Sequence, residues 1–363
     1  MTRKRLIVIG PLPPPVHGVT VSTSLVLANT ALSQHFEVEH LDTSDHRSGQ
    51  NIGGWDAANT LGALRAIVRL STRLRGRKGV VYLPLSQSTP GFLRDSLFVL
   101  LAHTMRWRVT IHLRGSDFRT YYETLHLLGK WWIRFILRRV SSVAVMGDTL
   151  RWVFHGLVAD ERIVVVPNGT PEPPRVGVLR DPKHVLFLSN LRRRKGVVEA
   201  VEAALLVLGQ VPSARFTFAG SWESEELEDN LRARVRQFAD AIEFSGAVDE
   251  EGKNRLLASA GILLFPPVEP EGHPRVVLEA MAAGLPVVAT DRGAIRETVG
   301  NEDAGFVIAE PDPVALAECV LLLLADPSLR ERMSQGARGR YLSHFTQELA
   351  DRRLSDWLVN VAR

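Results

Sequence analysis

The sequence predicts an α/β protein made of two doubly wound, Rossmann-like halves. Three observations predict it. Short apolar runs of strand length alternate with segments of helical spacing, as in parallel sheets built from crossover units. The alternation is interrupted once, at VVPNGTPEPPRVGVLRDPKH (165–184), where five prolines mark a linker. The chain has 363 residues, enough for two domains at roughly 100–200 residues each.

In the first half, RLIVIG (5–10) is the first buried strand. It is too short for a signal peptide and runs directly into prolines. GVTVSTSLVLANTAL (18–32) has helical spacing. FEVEHLD (36–42), GVVYLPL (79–85), RVTIHL (108–113), SSVAVMG (141–147) and RIVVVPNG (162–169) follow, with the apolar run DSLFVLLAHTM (95–105) among them. The pattern restarts with the strand HVLFLSNL (184–191), the helix VVEAVEAALLVLGQV (197–211) and the strand ARFTFAGS (214–221). AIEFSGAV (241–248) and GILLFPPV (261–268) are strands, then a helix begins near 274. PVVAT (286–290) and AGFVIAE (304–310) complete the second sheet, and helices at 313–326, 328–345 and 346–360 end the chain. The expected domains are 1–168 and 184–345, joined by a linker at 169–183. Ligands of such sheets bind beyond the carboxyl ends of the strands, so the expected site is a cleft between the halves.

Hydrophobic residues make up 45% and charged residues 23%, the balance of a globular chain that buries two cores without disulfides or metals. The single cysteine, Cys319, lies in ALAECVLLLLA. It excludes an internal disulfide and a cysteine-rich zinc site, and it suits a reducing cytosol. No run reaches the ~18 apolar residues that cross a membrane. Residues 1–180 hold 23 Lys+Arg and 12 Asp+Glu, a net of +11; the remaining 21 and 28 give −7, and the sum is +4. Such asymmetry points the first half at an anion: nucleic acid, an anionic membrane surface or a phosphorylated substrate. Solvated surface charge is the plainer alternative.

Four stretches carry the chemistry. The first is PEGHPRVVLEAMAAGLPVVAT (270–290). Pro274 suits the first helical position and Gly284 the residue after the helix. A helix start favours an anion such as phosphate, and Arg275 adds a full charge there. Glu271 lies just before that start and Glu279 well inside the helix. A carboxylate among apolar neighbours needs donors, and the vicinal hydroxyls of a sugar or ribose supply them. Glu271 is otherwise an acid complementing the helix dipole. Glu279 is otherwise a surface residue or the partner of a buried arginine.

The second stretch is SNLRRRKGV (189–197), where Arg192, Arg193, Arg194 and Lys195 precede a glycine at a strand end. They either neutralise a diphosphate or form a solvated basic loop. The third is GPLPPPVHGVTVST (10–23), in which Gly18 opens a helix and admits a ligand close to the backbone. The fourth is VTIHLRGSDFRTYYE (109–123), where His112 and Arg114 end a strand ahead of Gly115, Ser116 and Asp117.

Together these stretches resemble the retaining glycosyltransferases of family four, of the bacterial polysaccharide-biosynthesis type, which have the GT-B fold. The resemblance spans nearly the whole chain. PEGHPRVVLEAMAAGLPVVAT is similar to that family's Glu, seven residues, Glu signature, and GILLFPP precedes it as the usual apolar strand. SNLRRRKG resembles its Gly-Arg-Leu-x-x-x-Lys-Gly stretch, with Lys195 on the lysine and Asn190 where the arginine stands. Arg194 or Arg192 is then the substitute. PPPVHGV resembles the Pro-Pro-x-x-Gly-Gly loop, with His17 in place of the first glycine. IHLRGSDF resembles His-Leu-His-Gly, with Arg114 in place of the second histidine.

The resemblance implies roles. Glu271 contacts the transferred sugar, in a loop with Gly272 and His273, and Glu279 holds the ribose. Lys195, Arg275, Gly18, His17, Asn190 and the amides near Val276 and Val277 surround the diphosphate, and backbone near Val248 holds the base. Catalysis falls to Glu271, Lys195, Arg194, His112 and Arg114, and the acceptor side to Arg114, Asp117 and Ser86. The last helix returns to the first domain. The charge that grows on the diphosphate is stabilised where it develops, the acceptor attacks from the same face, and the departing phosphate takes its proton. No protein nucleophile is needed.

No Asp-x-Asp pair occurs, so neither metal nor cofactor is expected. The donor is a nucleotide-diphosphate sugar, UDP first and GDP next. The acceptor is a glycan, a lipid-linked molecule or a small molecule, not nucleic acid. RAIVRLSTRLRGRKG (65–79) and GKWWIRFILRRV (129–140) are basic, and the second interleaves Trp131, Trp132, Phe135 and Ile136, a composition that suits an anionic membrane surface. The expected location is cytoplasmic, peripheral on the inner face of the membrane. A nucleotide-sugar epimerase of similar architecture and a basic nucleic-acid-binding protein are the alternatives. The epimerase does not call for the glutamate pair with its Lys-Gly partner, and nucleic-acid binding leaves the acidic second half unexplained.

Overall fold

Buried, mostly apolar strands of four to seven residues recur along the chain, as the alternating runs require. The computed structural model describes residues 3–14, 18–44, 57–174, 176–300 and 302–363, with side chains from residue 62 in the helix that starts at 57. It divides into two units, Met1–Pro167 with Glu348–Arg363, and Asn168–Gln347.

Unit 1 holds strands β1 (Lys4–Gly10), β2 (Phe36–Asp42), β3 (Gly79–Pro84), β4 (Arg108–His112), β5 (Ser142–Val145) and β6 (Ile163–Val165) in the order β2-β1-β3-β4-β5-β6. Every pair is parallel. The register pairs Gly10 with Asp42 and Pro84 with His112, so these residues end their strands on one edge of the sheet. The helices are α1 (Gly18–Ala28), α2 (Thr30–His35), α3 (Ala57–Arg73), α4 (Thr89–Thr104), α5 (Phe118–Thr124) and α6 (Leu127–Leu137).

One expected helix, 18–32, is two. Asn29 interrupts it, and its side chain accepts from the N–H groups of Ala31 and Leu32, capping α2. A side chain that offers the backbone a competing acceptor ends one helix and starts the next. The helices α3, α5 and α6 were not assigned as elements by the alternation; α3 and α6 overlap the basic stretches.

Unit 2 holds β7 (His184–Leu188), β8 (Arg215–Ala219), β9 (Ile242–Gly246), β10 (Ile262–Phe265), β11 (Val287–Thr290) and β12 (Gly305–Ile308), all parallel, in the order β12-β11-β10-β7-β8-β9. Its helices are α7 (Val197–Gln210), α8 (Glu225–Arg234), α9 (Glu250–Ser259), α10 (Arg275–Ala282), α11 (Ile295–Val299), α12 (Pro313–Ala325) and α13 (Pro327–Arg340). One sheet face packs under α7, α8 and α12, with Val201, Leu231 and Val320 in that core. The other packs under α9, α10 and α13, with Leu257, Met281 and Ala337. Cys319 is half-buried against the first of these cores.

Residues 169–183, expected as a linker, are tied down at several points. Thr170 N–H donates to Phe345 O at 3.0 Å, and Gln347 N–H donates to Thr170 O at 2.9 Å. Prolines bar a regular ladder there, but isolated bonds remain available. The last helix, α14 (Gln347–Ala362), packs on unit 1, where Leu354, Trp357 and Leu358 join the core of Val8, Val26 and Tyr82. Trp357 Nε1 donates to Ser142 Oγ at 2.9 Å, and Asn29 Nδ2 to Asp351 O at 2.9 Å. No helix among the described residues is long and apolar enough to cross a membrane.

Candidate active site

In unit 2 the strand order reverses between β7 and β10, the place where doubly wound sheets bind ligands. The two segments leaving those strands carry Lys195 and Glu271. Lys195 ends a short turn at Arg193–Lys195, and Glu271 lies in the loop between β10 and α10. The Lys195 ammonium bonds the Glu271 carboxylate directly. Both side chains are mostly buried, and Lys195 Nζ also lies 6.0 Å from the Phe265 ring centroid.

Two glycines make this meeting sterically available. Gly196 has φ +77°, and a Cβ there would lie 1.7 Å from Pro266 O. Gly293 has φ +60°, and its Cβ would lie 1.7 Å from Glu271 O. Only glycine combines those angles with that approach. The same loop is held by Ala294 N–H donating to Gly272 O at 2.9 Å. Arg194 O accepts from the N–H groups of Val268 and Glu269 at 3.1 and 3.2 Å.

Pro274 occupies the N-cap of α10 rather than its first helical position, and makes no side-chain cap bond. Proline has no polar side-chain atom to offer, so the first-turn amides, Val276 and Val277 included, have no side-chain cap competing for them, a start that suits an anion. The Val277 side chain belongs to the core, and Val276 and Val248 pack at its edge. Their expected donor contacts are therefore those of backbone. The opposite end of α10 is anchored by donors to its last carbonyl and to that of Gly284 just beyond it. Arg338 Nη1 reaches Ala282 O at 2.7 Å, and Arg180 Nη1 and Ser334 Oγ reach Gly284 O at 2.8 and 2.6 Å. Cations at this end complement the helix dipole.

Glu279 has a definite partner. Lys253 of α9 lies with Nζ 3.0 Å from Glu279 Oε1 and 2.9 Å from Glu250 Oε1. Burial pulls the Lys253 ammonium down, but the two carboxylates outweigh it and the net shift is upward. The cation expected as one alternative partner of Glu279 is thus a lysine, not an arginine. The i, i+3 spacing of Glu250 and Lys253 signals their own pair, whereas the pairing of Lys253 with Glu279 has no signal in the sequence.

His273 is buried. Its Nδ1 accepts the Asn168 N–H at 3.0 Å, and Asn168 Nδ2 donates to His273 O at 2.8 Å. Burial, helped by Arg275, pushes its pKa down to about 3. His273 is therefore a neutral anchor for the loop carrying Glu271. Asn190, Arg192, Arg193 and Arg194 are exposed, and Arg194 reaches Glu269 at 3.9 Å. Arg193 N–H donates to Glu223 Oε2 at 3.0 Å.

In unit 1, His112 ends β4 and is fully buried. Tyr82 Oη lies 3.1 Å from His112 Nδ1 and accepts from Arg114 Nη2 at 2.8 Å. His112 packs edge-on against the Tyr82 and Trp357 rings. Burial and the Arg114 charge hold its pKa well below the ordinary range, so the imidazole is neutral. The sequence left open which of His112 and Arg114 acts on this side; the structure joins both through one hydroxyl. Tyr82 was missed, although a lone tyrosine in a buried strand needs a partner for its hydroxyl. Nearby, Ser86 N–H donates to Asp95 Oδ2 at 2.9 Å and Ser86 Oγ accepts from Arg94 at 3.2 Å. Asp117 stands exposed at the start of α5. Gly18 opens α1, and a Cβ there would meet nothing within 4 Å. His17 lies outside the described residues. Among the described residues no group of three His, Cys, Asp or Glu could hold a metal ion.

Comparison with known proteins places these residues in context. The model of the family described as glycosyl transferases group 1 matches residues 171–340, the span that carries Lys195, Glu271 and Glu279. The phosphatidyl-myo-inositol mannosyltransferase of Mycobacterium leprae is 32% identical over 200 residues, 53% of this chain and 52% of that protein. The chain thus spans about half the length of such curated relatives. Among solved structures, a glycosyltransferase from Rickettsia africae superimposes with a TM-score of 0.76 at 15% identity, covering 99% of each chain. Anabaena Alr3699/HepE in complex with UDP does so with 0.75 at 16% identity, covering 98% of this chain and 100% of its own. The fold is the GT-B type expected from the sequence.

Proposed function

We propose, given that residues 171–340 match the model of the glycosyl transferases group 1 family, that the protein is a retaining glycosyltransferase using a nucleotide-diphosphate sugar. The observation that carries the reading is the Lys195–Glu271 contact at the switch point of unit 2, one loop ahead of the side-chain-uncapped start of α10. A cation and a helix N-terminus suit a diphosphate; two acceptor carboxylates suit sugar hydroxyls.

When the donor binds, Lys195 exchanges Glu271 for a diphosphate oxygen, and Glu271 accepts hydroxyls of the transferred sugar. Glu279, held by Lys253, accepts the ribose hydroxyls. The bond from the anomeric carbon to the diphosphate oxygen breaks, and negative charge collects between Lys195 and the α10 amides. The acceptor oxygen bonds the same carbon on the face the leaving group departs from, and its proton passes to the departing phosphate oxygen. Neither metal nor cofactor has a part in this scheme. On the acceptor side, neutral His112 with Tyr82 and Arg114 is the group we assign to orienting the acceptor hydroxyl.

UDP is the favoured carrier because similar folds were solved holding UDP, and GDP is next. A lipid-linked acceptor is favoured by the phosphatidyl-myo-inositol mannosyltransferase relatives and by the basic surface of unit 1, with glycans and small molecules as further candidates. The protein then works in the cytoplasm, peripheral on the inner membrane face. The test is turnover of UDP-, GDP- and ADP-sugars, with the anomeric configuration of the product read by NMR. Retained configuration with one nucleotide class is expected; an inverted product or no turnover of any donor overturns the reading.

A further inference from the structure

Three neighbouring helices of unit 1 share an exposed apolar face. The strands β2, β3, β4 and β5 succeed one another through crossovers of one hand, which place α3, α4 and α6 on the same side of the sheet. α4 packs against α3 on one flank and α6 on the other, where Trp132 Nε1 donates to Ser96 Oγ at 3.1 Å. Each helix exposes two large apolar side chains four residues apart, Leu64 and Val68, Leu93 and Leu97, Leu127 and Trp131. That spacing is one face of a helix. Leu127 and Trp131 are 84% and 59% exposed, and Leu128 beside them is 74% exposed. Elsewhere in the described part of unit 1, Trp152 alone is an exposed large apolar residue. Single exposed leucines are ordinary, but seven such side chains on one helical layer are not.

The charge on this layer has one sign. Arg65 and Arg69 on α3 and Arg134 on α6 are exposed, and Lys130 is half-exposed. Neither α3 nor α6 contains an aspartate or glutamate. The one carboxylate of α4, Asp95, is buried and bonded to Ser86 and Arg94.

The geometry points to an anionic lipid bilayer as the partner of this face. Leu127, Leu128 and Trp131 enter the boundary between headgroups and acyl chains, where tryptophan is favoured. The arginines and Lys130 meet the anionic headgroups. Nucleic acid would use the arginines but gain nothing from the leucines. Such docking serves the lipid-linked acceptor proposed above and rests on that reading for its purpose, while its geometry lies wholly in unit 1.

The test is sedimentation of the full chain with vesicles of equal parts phosphatidylglycerol and phosphatidylcholine, against phosphatidylcholine alone. Binding to the mixed vesicles at low salt is expected, weakening as salt screens the headgroups. The double variant Leu127→Ser, Trp131→Ser should lose about tenfold or more of that binding. Its melting shift with UDP should equal that of the wild type, which shows that the fold and donor site are intact. Absence of vesicle binding, equal binding by the double variant, or capture of DNA or a protein by this face without vesicle binding overturns the proposal. A lost UDP shift in the wild type with vesicle binding kept overturns the donor reading instead.

Discussion

Lys253 Nζ lies 3.0 Å from Glu279 Oε1, joining α9 to the middle of α10, where the one carboxylate of that helix stands among apolar neighbours. The pair is mostly buried, so Glu279 depends on Lys253, which Glu250 also holds. Lys253→Met should cost about 1–3 kcal/mol by leaving Glu279 without its partner. The double variant Lys253→Met, Glu279→Gln should recover most of that loss. Chemical denaturation of the four proteins of this cycle measures the coupling.

Lys195 and Glu271 differ from that pair in what their loss should do. Lys195→Ala removes a charge placed for the leaving diphosphate, and turnover should fall by about 10²–10³. Glu271→Ala should mainly lower kcat. Steady-state kinetics with the preferred donor checks both; a change confined to KM would contradict the assigned roles.

Gly293→Ala should disturb the loop rather than the chemistry directly. Its φ of +60° and the close approach of Glu271 O leave no room for a Cβ. A loss of about 1–3 kcal/mol is expected, with a drop in turnover because Glu271 moves. Thermal melting and kinetics on the same preparation read the two effects.

His273 makes the stability of unit 2 depend on acid. Its pKa is about 3 in the folded chain, against the ordinary 6.5 when unfolded. Between those values the unfolded state holds the proton and the folded state does not. This contribution is therefore fully present above pH 6.5 and is lost as pH falls toward 3, at about 1.4 kcal/mol per unit. His184 and His112 shift in the same direction, from burial first. His273→Gln, which keeps an acceptor for Asn168, should flatten the fall of the melting temperature with acid relative to wild type.

Tyr82→Phe should leave nucleotide binding unchanged and lower transfer to the acceptor by about 10-fold or more. It removes the hydroxyl that Arg114 and His112 share. Separate titration of nucleotide and measurement of transfer distinguish this from a loss of fold.

Much of this was legible before the structure. The strand–helix alternation is a local property of apolar spacing, so both sheets followed from it, and so did the helix that starts between Glu271 and Glu279. The break at Asn29 was not, because helical spacing persists across it and only the side chain's bonds to Ala31 and Leu32 end α1. Partners distant in sequence were also hidden. Lys253 is 26 residues from Glu279, and Tyr82 is 30 from His112. No spacing rule connects them; sheet order does. The sequence suggests His273 as a donor ligand but does not show that its side chain is buried and held by Asn168. Gly196 and Gly293 are a further case: close backbone packing between loops is a tertiary fact, visible in sequence only as a glycine.

The most direct measurement is equilibrium titration of wild type and Glu279→Ala with UDP, GDP and ADP. One nucleotide should bind the wild type clearly best, and Glu279→Ala should weaken it by about tenfold or more, the loss of hydrogen bonds to a charged group. If no nucleotide binds the wild type, or if Glu279→Ala binds as tightly, unit 2 is not the nucleotide-sugar site described above.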